Sequence, residues 1–465
     1  MNSADQFSSL LAVVESCLSD FLERSENREG PAISTDSPKE LAELMELERW
    51  TRDGGMDEQA LDVFMRRYLS KVTNLHHPRT IAHQVAKPMM PAVMADLVNG
   101  VTNNGMATYE MGPPAVALEL HVIRWMCDHI GYGSESGGVL THGGSLANLT
   151  ALLAARARIA PDAWEAGVPK DLVILAPESS HYSVARAAGI LGLGTQAVWK
   201  FSCHPDGRID IAKLDELKAL VTSENRRVMA VCANACSTAT GYYDDLAAIG
   251  AWCNEHNYWL HVDGAHGASA ILSETHRSLL AGIHLADSVV WDAHKMLQTS
   301  ALCAAVLVKD DRVLPAAFAQ NASYLGNPGF GAGVDLYDRA VECTKTPLGL
   351  KVFLNLAIEG ETALAARLDL LYENTKRFAA FLREQEAIEV PFEPQSNILC
   401  FRVGPRDLVQ AKLRQELIDS GDFYITAATF DGCDWLRLTV MNPLTSMSDI
   451  EALVERLNSI VQLAN

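Results

Sequence analysis

Residues 259–266 read WLHVDGAH, and residues 288–295 read SVVWDAHK. Each segment starts as a short apolar run and ends on polar residues, the pattern of a buried β-strand followed by a turn. Further runs of this kind, separated by helical patterns, are found at 171–176, 198–201, 228–233 and 303–308. Buried strands that alternate with helices predict an α/β fold whose mainly parallel sheet is covered on both faces. Because such sheets bind ligands at the carboxyl ends of their strands, we expect the chemistry just after these runs.

The regions on either side of the predicted sheet differ from it in pattern. The N-terminal region is acidic and has helical periodicity, whereas the C-terminal region begins with long helices at 347–385 and continues with two strand patterns at 398–403 and 435–441. Mixed strands and helices of this kind predict a smaller α+β domain. The predicted parts are therefore a helical N-terminal arm, a large domain and a small C-terminal domain, at 1–70, 71–345 and 346–465.

The charge of the chain excludes several classes of partner. Its 465 residues include 58 acidic and 38 basic side chains, which give a net charge of −20. Such a surface repels phosphate backbones and anionic lipids, so we expect neither a nucleic-acid nor a membrane partner. The ten cysteines form no CxxC pair, and residues 1–23 lack the basic start of a signal peptide. These features predict reduced thiols and a cytoplasmic location.

A glycine-rich turn is the first candidate for ligand binding. Gly143, Gly144 and Ser145 open a helical pattern that also contains Asn148. Backbone amides at a helix N-terminus bind phosphate groups, and glycines allow the phosphate to approach closely. An ordinary loop with a helix cap is the alternative at this point.

Two strand ends carry the other reactive side chains. Asp263 follows a predicted buried strand, where a carboxylate requires a charged partner such as a protonated heterocycle. With His261 and His266 it also forms an HxDxxH pattern, so a metal site is an alternative, and so is a helix-capping role. Lys295 follows the next strand, where desolvation makes an amine nucleophilic toward carbonyls, although most lysines are solvated surface charges.

A phosphate cradle, a carboxylate and a lysine at sheet ends are together the parts that hold pyridoxal phosphate. From about His76 to Pro443 the chain resembles the group II pyridoxal-phosphate-dependent amino-acid decarboxylases, which include glutamate, cysteine sulfinate, aromatic-amino-acid and diaminobutyrate decarboxylases. The resemblance implies fold type I, with a seven-stranded sheet, and a homodimer whose N-terminal arm crosses the interface. It also implies a carboxy-lyase that converts an L-amino acid to an amine and carbon dioxide.

The resemblance assigns roles to individual residues. Lys295 is the implied Schiff-base lysine, Asp263 pairs with the pyridine nitrogen, and His181 stacks on the cofactor ring. Arg437 receives the α-carboxylate of the substrate. The remaining implied cofactor contacts are Gly143, Gly144, Ser145, Asn148, Thr238, Ala265 and His294. Because Asp263 then has a cationic partner, no metal is predicted, and a metal-dependent hydrolase built on His261, Asp263 and His266 becomes a far weaker alternative.

The chain departs from the family pattern in the turn 235–238 and in the loop 326–338. The turn reads Ala-Cys-Ser-Thr where the family usually has Ala-Gly-Thr-Thr. In the loop, the family offers a tyrosine that protonates the substrate carbon after decarboxylation, whereas the alignment here gives Val334 or Phe330. Tyr337 is close by and is our candidate proton donor. Other pyridoxal-phosphate reactions, such as those of a lyase, an oxidative deaminase or an aminotransferase, therefore stay open as alternatives.

The substrate side chain is expected near His83, where the family lines its side-chain pocket. His83, Gln84 and Lys87 are polar or basic rather than aromatic. Such groups suit an acidic or polar substrate, for example aspartate, glutamate or cysteine sulfinate. Diaminobutyrate is the second candidate, and a simple packing role for His83 is the alternative.

Overall fold

The computed structural model describes residues 2–204, 206–318, 333–404 and 409–464. These residues form two compact units. The sheet unit comprises residues 84–373 and 394–397, and the terminal unit comprises residues 1–83, 374–393 and 398–465. The terminal unit thus contains both ends of the chain, and the three-part division at 70 and 345 stays a prediction.

The sheet unit contains a seven-stranded sheet in the order β1-β7-β6-β5-β4-β2-β3. Strand β7 runs antiparallel to both of its neighbours, and the other six strands run in one direction. Most strand residues are buried, as expected for a sheet covered on both faces. The predicted α/β fold and its mainly parallel sheet are confirmed. The strands are β1 Gly137–Thr141, β2 Leu172–Pro177, β3 Val198–Phe201, β4 Arg227–Asn234, β5 Leu260–Asp263, β6 Ser288–Asp292 and β7 Ala304–Val308.

One edge of this sheet gathers the carboxyl ends of the six strands that run in one direction. Asn234 at the end of β4 pairs with Asp263 at the end of β5. Thr141 at the end of β1 and Asp292 at the end of β6 both pair with Ala304 of β7. The turns that follow these strands therefore start side by side, which is the arrangement that the apolar runs predict.

The helices of the sheet unit connect these strands and cover them. Helix α6 begins at Pro113 and α7 at Gly144, immediately after β1. The α-helices that lie wholly or partly in this unit are α5 Met90–Thr102, α6 Pro113–Ile130, α7 Gly144–Ile159, α8 Ala163–Ala166, α9 Ser183–Ile190, α10 Ile211–Ser223, α11 Leu246–His256, α12 Val313–Phe318, α13 Gly349–Glu359 and α14 Glu361–Arg383. The described residues of this unit also form five short 3-10 helices, at Tyr109–Met111, Thr195–Ala197, Gly267–Leu272, Arg277–Leu280 and Ile283–Leu285.

The terminal unit has its own four-stranded antiparallel sheet in the order β10-β11-β9-β8. Its strands are β8 Ile388–Glu389, β9 Ile398–Val403, β10 Thr426–Phe430 and β11 Cys433–Thr439. Strand β10 is absent from the sequence prediction because its residues are only partly apolar, and it lies at an edge of the sheet. The helices are α1 Ser3–Glu26, α2 Pro38–Leu44, α3 Leu47–Asp53, α4 Glu58–Leu69, α15 Gln410–Ser420 and α16 Met447–Ala464.

An ion pair joins the N-terminal and C-terminal segments within the terminal unit. Arg28 donates hydrogen bonds to both carboxylate oxygens of Asp449, at 2.9 and 2.8 Å. Burial alone would raise the pKa of Asp449, but hydrogen bonds from Arg28 and Ser446 lower it to about 2. The pair therefore stays ionised across the physiological range. No described helix has the length and apolar character needed to cross a bilayer.

Candidate active site

The glycine-rich turn lies where the sequence predicts it, between β1 and the first turn of α7. Gly143 precedes the helix with a φ of 97°, a backbone conformation that residues other than glycine rarely adopt. A Cβ atom on Gly144 would lie 2.7 Å from Oδ2 of Asp292. Ser145 is exposed in the first turn of the helix. The helix N-terminus thus presents backbone amides and a hydroxyl, the groups that bind a phosphate.

Asp263 ends β5 and is held by two hydrogen-bond donors. Asn148 Nδ2 donates to Oδ2 at 2.9 Å, and the backbone amide of Ala265 donates to Oδ1 at 3.2 Å. Asp263 is 9% exposed, and Ala265 is also buried. Each oxygen of Asp263 thus has a hydrogen-bond donor, which fixes the carboxyl group in position to pair with a protonated heterocycle.

A chain of hydrogen bonds fixes the orientation of Asn148. Trp259 Nε1 donates to Ser288 Oγ at 2.9 Å, and Ser288 Oγ contacts His261 Nδ1 at 2.9 Å. His261 Nε2 in turn lies 2.9 Å from Asn148 Oδ1. Because an indole nitrogen only donates, Ser288 is free to donate to His261, which then donates from Nε2 to the amide oxygen. Both amide hydrogens of Asn148 are thereby directed away from His261, one of them toward Asp263.

Burial supports the neutral form of His261 that this chain requires. The pKa of His261 is lowered to about 4, mainly by complete burial, against the opposing effect of Asp263. A neutral imidazole with its proton on Nε2 matches the direction of the hydrogen bonds.

His181 belongs to the same network through Ser183. The second amide hydrogen of Asn148 points to Ser183 Oγ at 2.8 Å, and Ser183 Oγ lies 2.8 Å from His181 Nδ1. The backbone amide of Ser183 also donates to Nδ1 at 3.3 Å. Burial and, secondarily, Lys295 lower the pKa of His181, whereas Asp263 raises it. His181 is therefore a neutral imidazole whose Nδ1 accepts and whose Nε2 carries the proton.

Lys295 follows β6 and lies beside a buried carboxylate. Its Nζ is 3.3 Å from Oδ2 of Asp292, and its side chain is only 18% exposed. Nδ1 of the neighbouring His294 is 2.8 Å from the backbone carbonyl of Cys303, and its Nε2 is 3.8 Å from Asp292. Lys295 is thus a partly desolvated amine, as the sequence predicts for a nucleophile.

Thr238 lies in the turn after β4, half-buried. The backbone amide of Gly241 closes this turn on the carbonyl of Ser237 at 2.8 Å. Within the described part of the chain, the buried hydroxyls of Ser237 and Thr240 have no hydrogen-bond partner. The turn therefore offers hydroxyl groups for a ligand, and Ser237 supplies one of them where the pattern Ala-Gly-Thr-Thr has its first threonine.

The histidines of the metal-site alternative have hydrogen-bond partners of their own in the structure. His261 bonds Asn148 and Ser288 through its two ring nitrogens, whereas Nε2 of His266 contacts Asn397 at 2.7 Å. Among the residues that the structure describes, no cluster of three or more histidine, cysteine or acidic side chains is arranged to hold a metal ion. Alternation along β5 places His261 and Asp263 on one face, where Asn148 reaches both of them.

The candidate proton donor and the substrate residues are not brought to this network by any contact described above. The backbone amide of Tyr337 donates to the carbonyl of Ala107 at 3.0 Å. Burial, together with two nearby aspartates, raises the pKa of the Tyr337 hydroxyl. Val334 is half-buried, and Phe330 lies outside the described residues. Arg437 and His83 belong to the terminal unit.

Asp292, Ser183 and Ser288 are site residues that sequence reasoning did not assign. Asp292 had a usable signal, since it ends an apolar strand in the same way as Asp263. The two serines gave none, because their roles depend on partners that are distant in sequence, such as Asn148 and His261.

Comparison with known proteins decides the family. Residues 38–404 match the pyridoxal-dependent decarboxylase conserved domain. The chain belongs to this family. It is 30% identical to mouse cysteine sulfinic acid decarboxylase over 91% of this chain and 90% of that protein. It is 28% identical to the mouse acidic amino acid decarboxylase, over 91% of this chain and 80% of the relative.

The fold agrees with this membership. The crystal structure of the glutamate decarboxylase domain of a diaminobutyrate-pyruvate transaminase and L-2,4-diaminobutyrate decarboxylase from Vibrio parahaemolyticus aligns with a TM-score of 0.87 and 28% identity, over 97% of this chain and 95% of the other. The decarboxylase described here therefore has fold type I, uses pyridoxal phosphate and is a carboxy-lyase for amino acids. This confirms the family, the fold, the cofactor and the reaction that the sequence predicts.

The residues at this edge of the sheet fit the cofactor. The glycine turn leaves no room for a side chain beside Asp292, and one oxygen of that buried carboxylate, Oδ1, has no hydrogen-bond partner among the described residues. An anion site, a fixed carboxylate and a partly desolvated lysine are the three contacts that pyridoxal phosphate requires.

Proposed function

We propose that this enzyme decarboxylates a small acidic L-amino acid, with pyridoxal phosphate linked to Lys295. The observation that carries the proposal is the shared sheet edge, at which Asp263 and Lys295 follow the neighbouring parallel strands β5 and β6, and the N-terminus of α7 follows β1, which runs in the same direction on the far side of β7. When bound, the cofactor supplies an electron sink for the bond between Cα and the carboxylate.

The residues of this chain prepare that chemistry. Asp263, held in position by hydrogen bonds from Asn148 and Ala265, would pair with the pyridine nitrogen and keep it protonated. The helix N-terminus at Gly143–Ser145 binds the phosphate, and Ala265 and His181 are the ring contacts. His181 keeps its proton on Nε2 because its Nδ1 accepts from Ser183. Tyr337 stays the proposed proton donor to the substrate carbon.

Contacts within the terminal unit support an acidic substrate. Arg437 is 5% exposed, and its Nη1 donates to Thr426 Oγ1 at 3.2 Å. Burial is the main cause that lowers the pKa of His83, and Arg437 and Arg414 lower it further. His83 is therefore neutral, and two guanidinium groups lie in its vicinity. A substrate with two carboxylates suits two cations better than a substrate with one.

Gln84, the next residue along the chain, supplies a second argument. Its side-chain nitrogen is buried and has no hydrogen-bond partner within the described residues. A buried amide donor without a partner costs free energy unless a ligand satisfies it. Gln84 belongs to the sheet unit, so this argument is separate from the one on Arg437 and Arg414. A carboxylate oxygen accepts a hydrogen bond from such an amide, whereas an ammonium group does not.

We expect kcat/KM to be highest for aspartate, glutamate or cysteine sulfinate in a panel that also contains diaminobutyrate and aromatic amino acids. In Arg414→Ala, kcat/KM for the acidic substrate should fall by about tenfold or more, the loss of one charged hydrogen bond. Arg456→Ala, which removes an exposed guanidinium 4.0 Å from Asp422, is the matched control. A preference for aromatic substrates, or for a cationic substrate that persists in His83→Ala, would refute the acidic pocket.

We also propose that the enzyme is a cytoplasmic homodimer, and helix α5 offers a surface for a second copy. Met94, Val98 and Val101 are 48%, 47% and 64% exposed, and Met90 and Leu97 are exposed beside them. These positions recur every three or four residues, so they form one apolar face. An exposed face of this kind is typical of a subunit interface.

Light scattering at micromolar concentration is expected to give the mass of a dimer. The double substitution Val98→Glu and Val101→Glu should shift the protein toward the monomer, because it places charges in an apolar interface. Replacing the exposed Ile190 by glutamate, on helix α9, controls for a general effect of surface charge. A monomeric mass for the fully active wild-type enzyme would contradict the proposal.

A further inference from the structure

Asp292 is a buried carboxylate that the mechanism above does not use. It is 1% exposed, and its Oδ1 has no hydrogen-bond partner among the described residues. Its Oδ2 lies 3.3 Å from Lys295 Nζ. Both oxygens point at the first turn of α7, since a Cβ on Gly144 would meet them at 2.7 and 3.0 Å. The carboxyl group therefore competes for the same helix N-terminus that is proposed to bind the phosphate.

The charged surroundings of Asp292 are mixed. Complete burial is the largest influence on the pKa of Asp292 and raises it above its ordinary value. Lys295 and His294, on the same turn, act in the opposite direction, whereas Asp263 at the end of β5 raises the pKa further. His181 and Cys303 are the other titratable groups that interact with it.

Two anions at one helix N-terminus are unfavourable unless a proton lies between them. The phosphate of a monoester is a dianion above a pKa of about 6. A carboxylate at the same place repels it and leaves Oδ1 unsatisfied, whereas a carboxylic acid donates a hydrogen bond to a phosphate oxygen. The ammonium group nearest to Asp292 is that of Lys295, and it is consumed when Lys295 forms the link to the cofactor.

We propose that Asp292 takes up a proton when the cofactor binds and donates it in a hydrogen bond to the phosphate. This inference rests on the proposed phosphate site at Gly143–Ser145 and adds a positioning residue to it. The reaction balances with one proton taken from solvent, one dianionic phosphate bound and one carboxylate converted to a carboxylic acid. Cofactor affinity is therefore coupled to pH through the phosphate and not through the aldehyde.

The test compares pyridoxal phosphate with pyridoxal, which lacks the phosphate, in titrations of the apoenzyme between pH 7 and 9. Taking the ratio of the two affinities cancels the pH dependence of the link to Lys295. In the wild type, uptake of one proton makes the affinity for pyridoxal phosphate, divided by the affinity for pyridoxal, fall by up to about tenfold for each unit by which the pH rises. In Asp292→Asn the ratio should stay flat, because the amide is neutral at every pH and still donates a hydrogen bond.

Asp287→Asn is the matched control, because Asp287 directly precedes the opposite end of β6 and pairs with Arg158 at 3.0 Å. It should keep the wild-type slope. If Asp292→Asn does not fold, calorimetry of the wild type in buffers of different ionisation enthalpy replaces it, and about one more proton taken up with pyridoxal phosphate than with pyridoxal is expected. Equal slopes in Asp292→Asn and wild type, or equal proton uptake for both ligands, would overturn the inference. Failure of the apoenzyme to form a Lys295 link with either ligand would instead contradict the proposed function.

Discussion

Lys295→Ala is expected to lower the rate of carbon dioxide release by at least about three orders of magnitude. The substitution removes the amine that links the cofactor to the protein and that forms this link again after each turnover. The fold should survive, because the side chain is partly exposed and ends in a polar contact with Asp292. Radiometric or manometric assay of carbon dioxide, with circular dichroism as the check on folding, measures both effects.

Lys309→Ala is the control for this substitution. Lys309 directly follows strand β7 and is exposed. Its loss should leave turnover within about twofold of wild type, because exposed charges away from a site contribute little. Turnover of Lys295→Ala near the wild-type rate would show that the catalytic amine lies elsewhere.

Asp263→Asn is expected to reduce kcat by roughly 10²-fold or more, the usual cost of removing a fixed electrostatic partner of the reacting group. The asparagine oxygen still accepts from Asn148, so the hydrogen-bond network and the fold should persist. The neutral amide, however, no longer holds the pyridine nitrogen protonated. Steady-state kinetics at saturating cofactor separates this loss from weaker cofactor binding.

The absorbance spectrum of the bound cofactor gives a second readout for Asp263→Asn. We expect its pH dependence to shift as the ring nitrogen loses its proton, whereas Asp245→Asn, at the exposed N-cap of α11, should leave the spectrum unchanged. Activity of Asp263→Asn within a few-fold of wild type would mean that Asp263 does not maintain the electron sink.

The sheet and its ligand-binding edge are predictable from the sequence because each buried strand is a local apolar run. Asp263 and Lys295 follow two such runs directly, so their place at the carboxyl edge depends only on the strands being parallel. The glycine turn is equally local, and its helix starts at Gly144, one residue before the predicted start at Ser145. These signals need no knowledge of distant contacts.

The hydrogen-bond network of the site is not predictable in this way. Asn148 reaches His261 and Asp263, which lie more than a hundred positions further along the chain. The spacing of His261, Asp263 and His266 also fits a metal site, and the contacts that argue against that interpretation join these histidines to residues distant in sequence, such as Asn148 and Asn397. The role of Asp292 depends on Gly144 in the same manner, through packing between separate elements.

The most direct test of the account is to reduce the cofactor-loaded enzyme with borohydride and to locate the modified residue by peptide mass spectrometry. We predict a single pyridoxyl group on the peptide that contains Lys295, and loss of the visible absorbance band on reduction. A pyridoxyl group on another lysine, or a protein that takes up no cofactor, would contradict the assignment of this sheet edge as the active site.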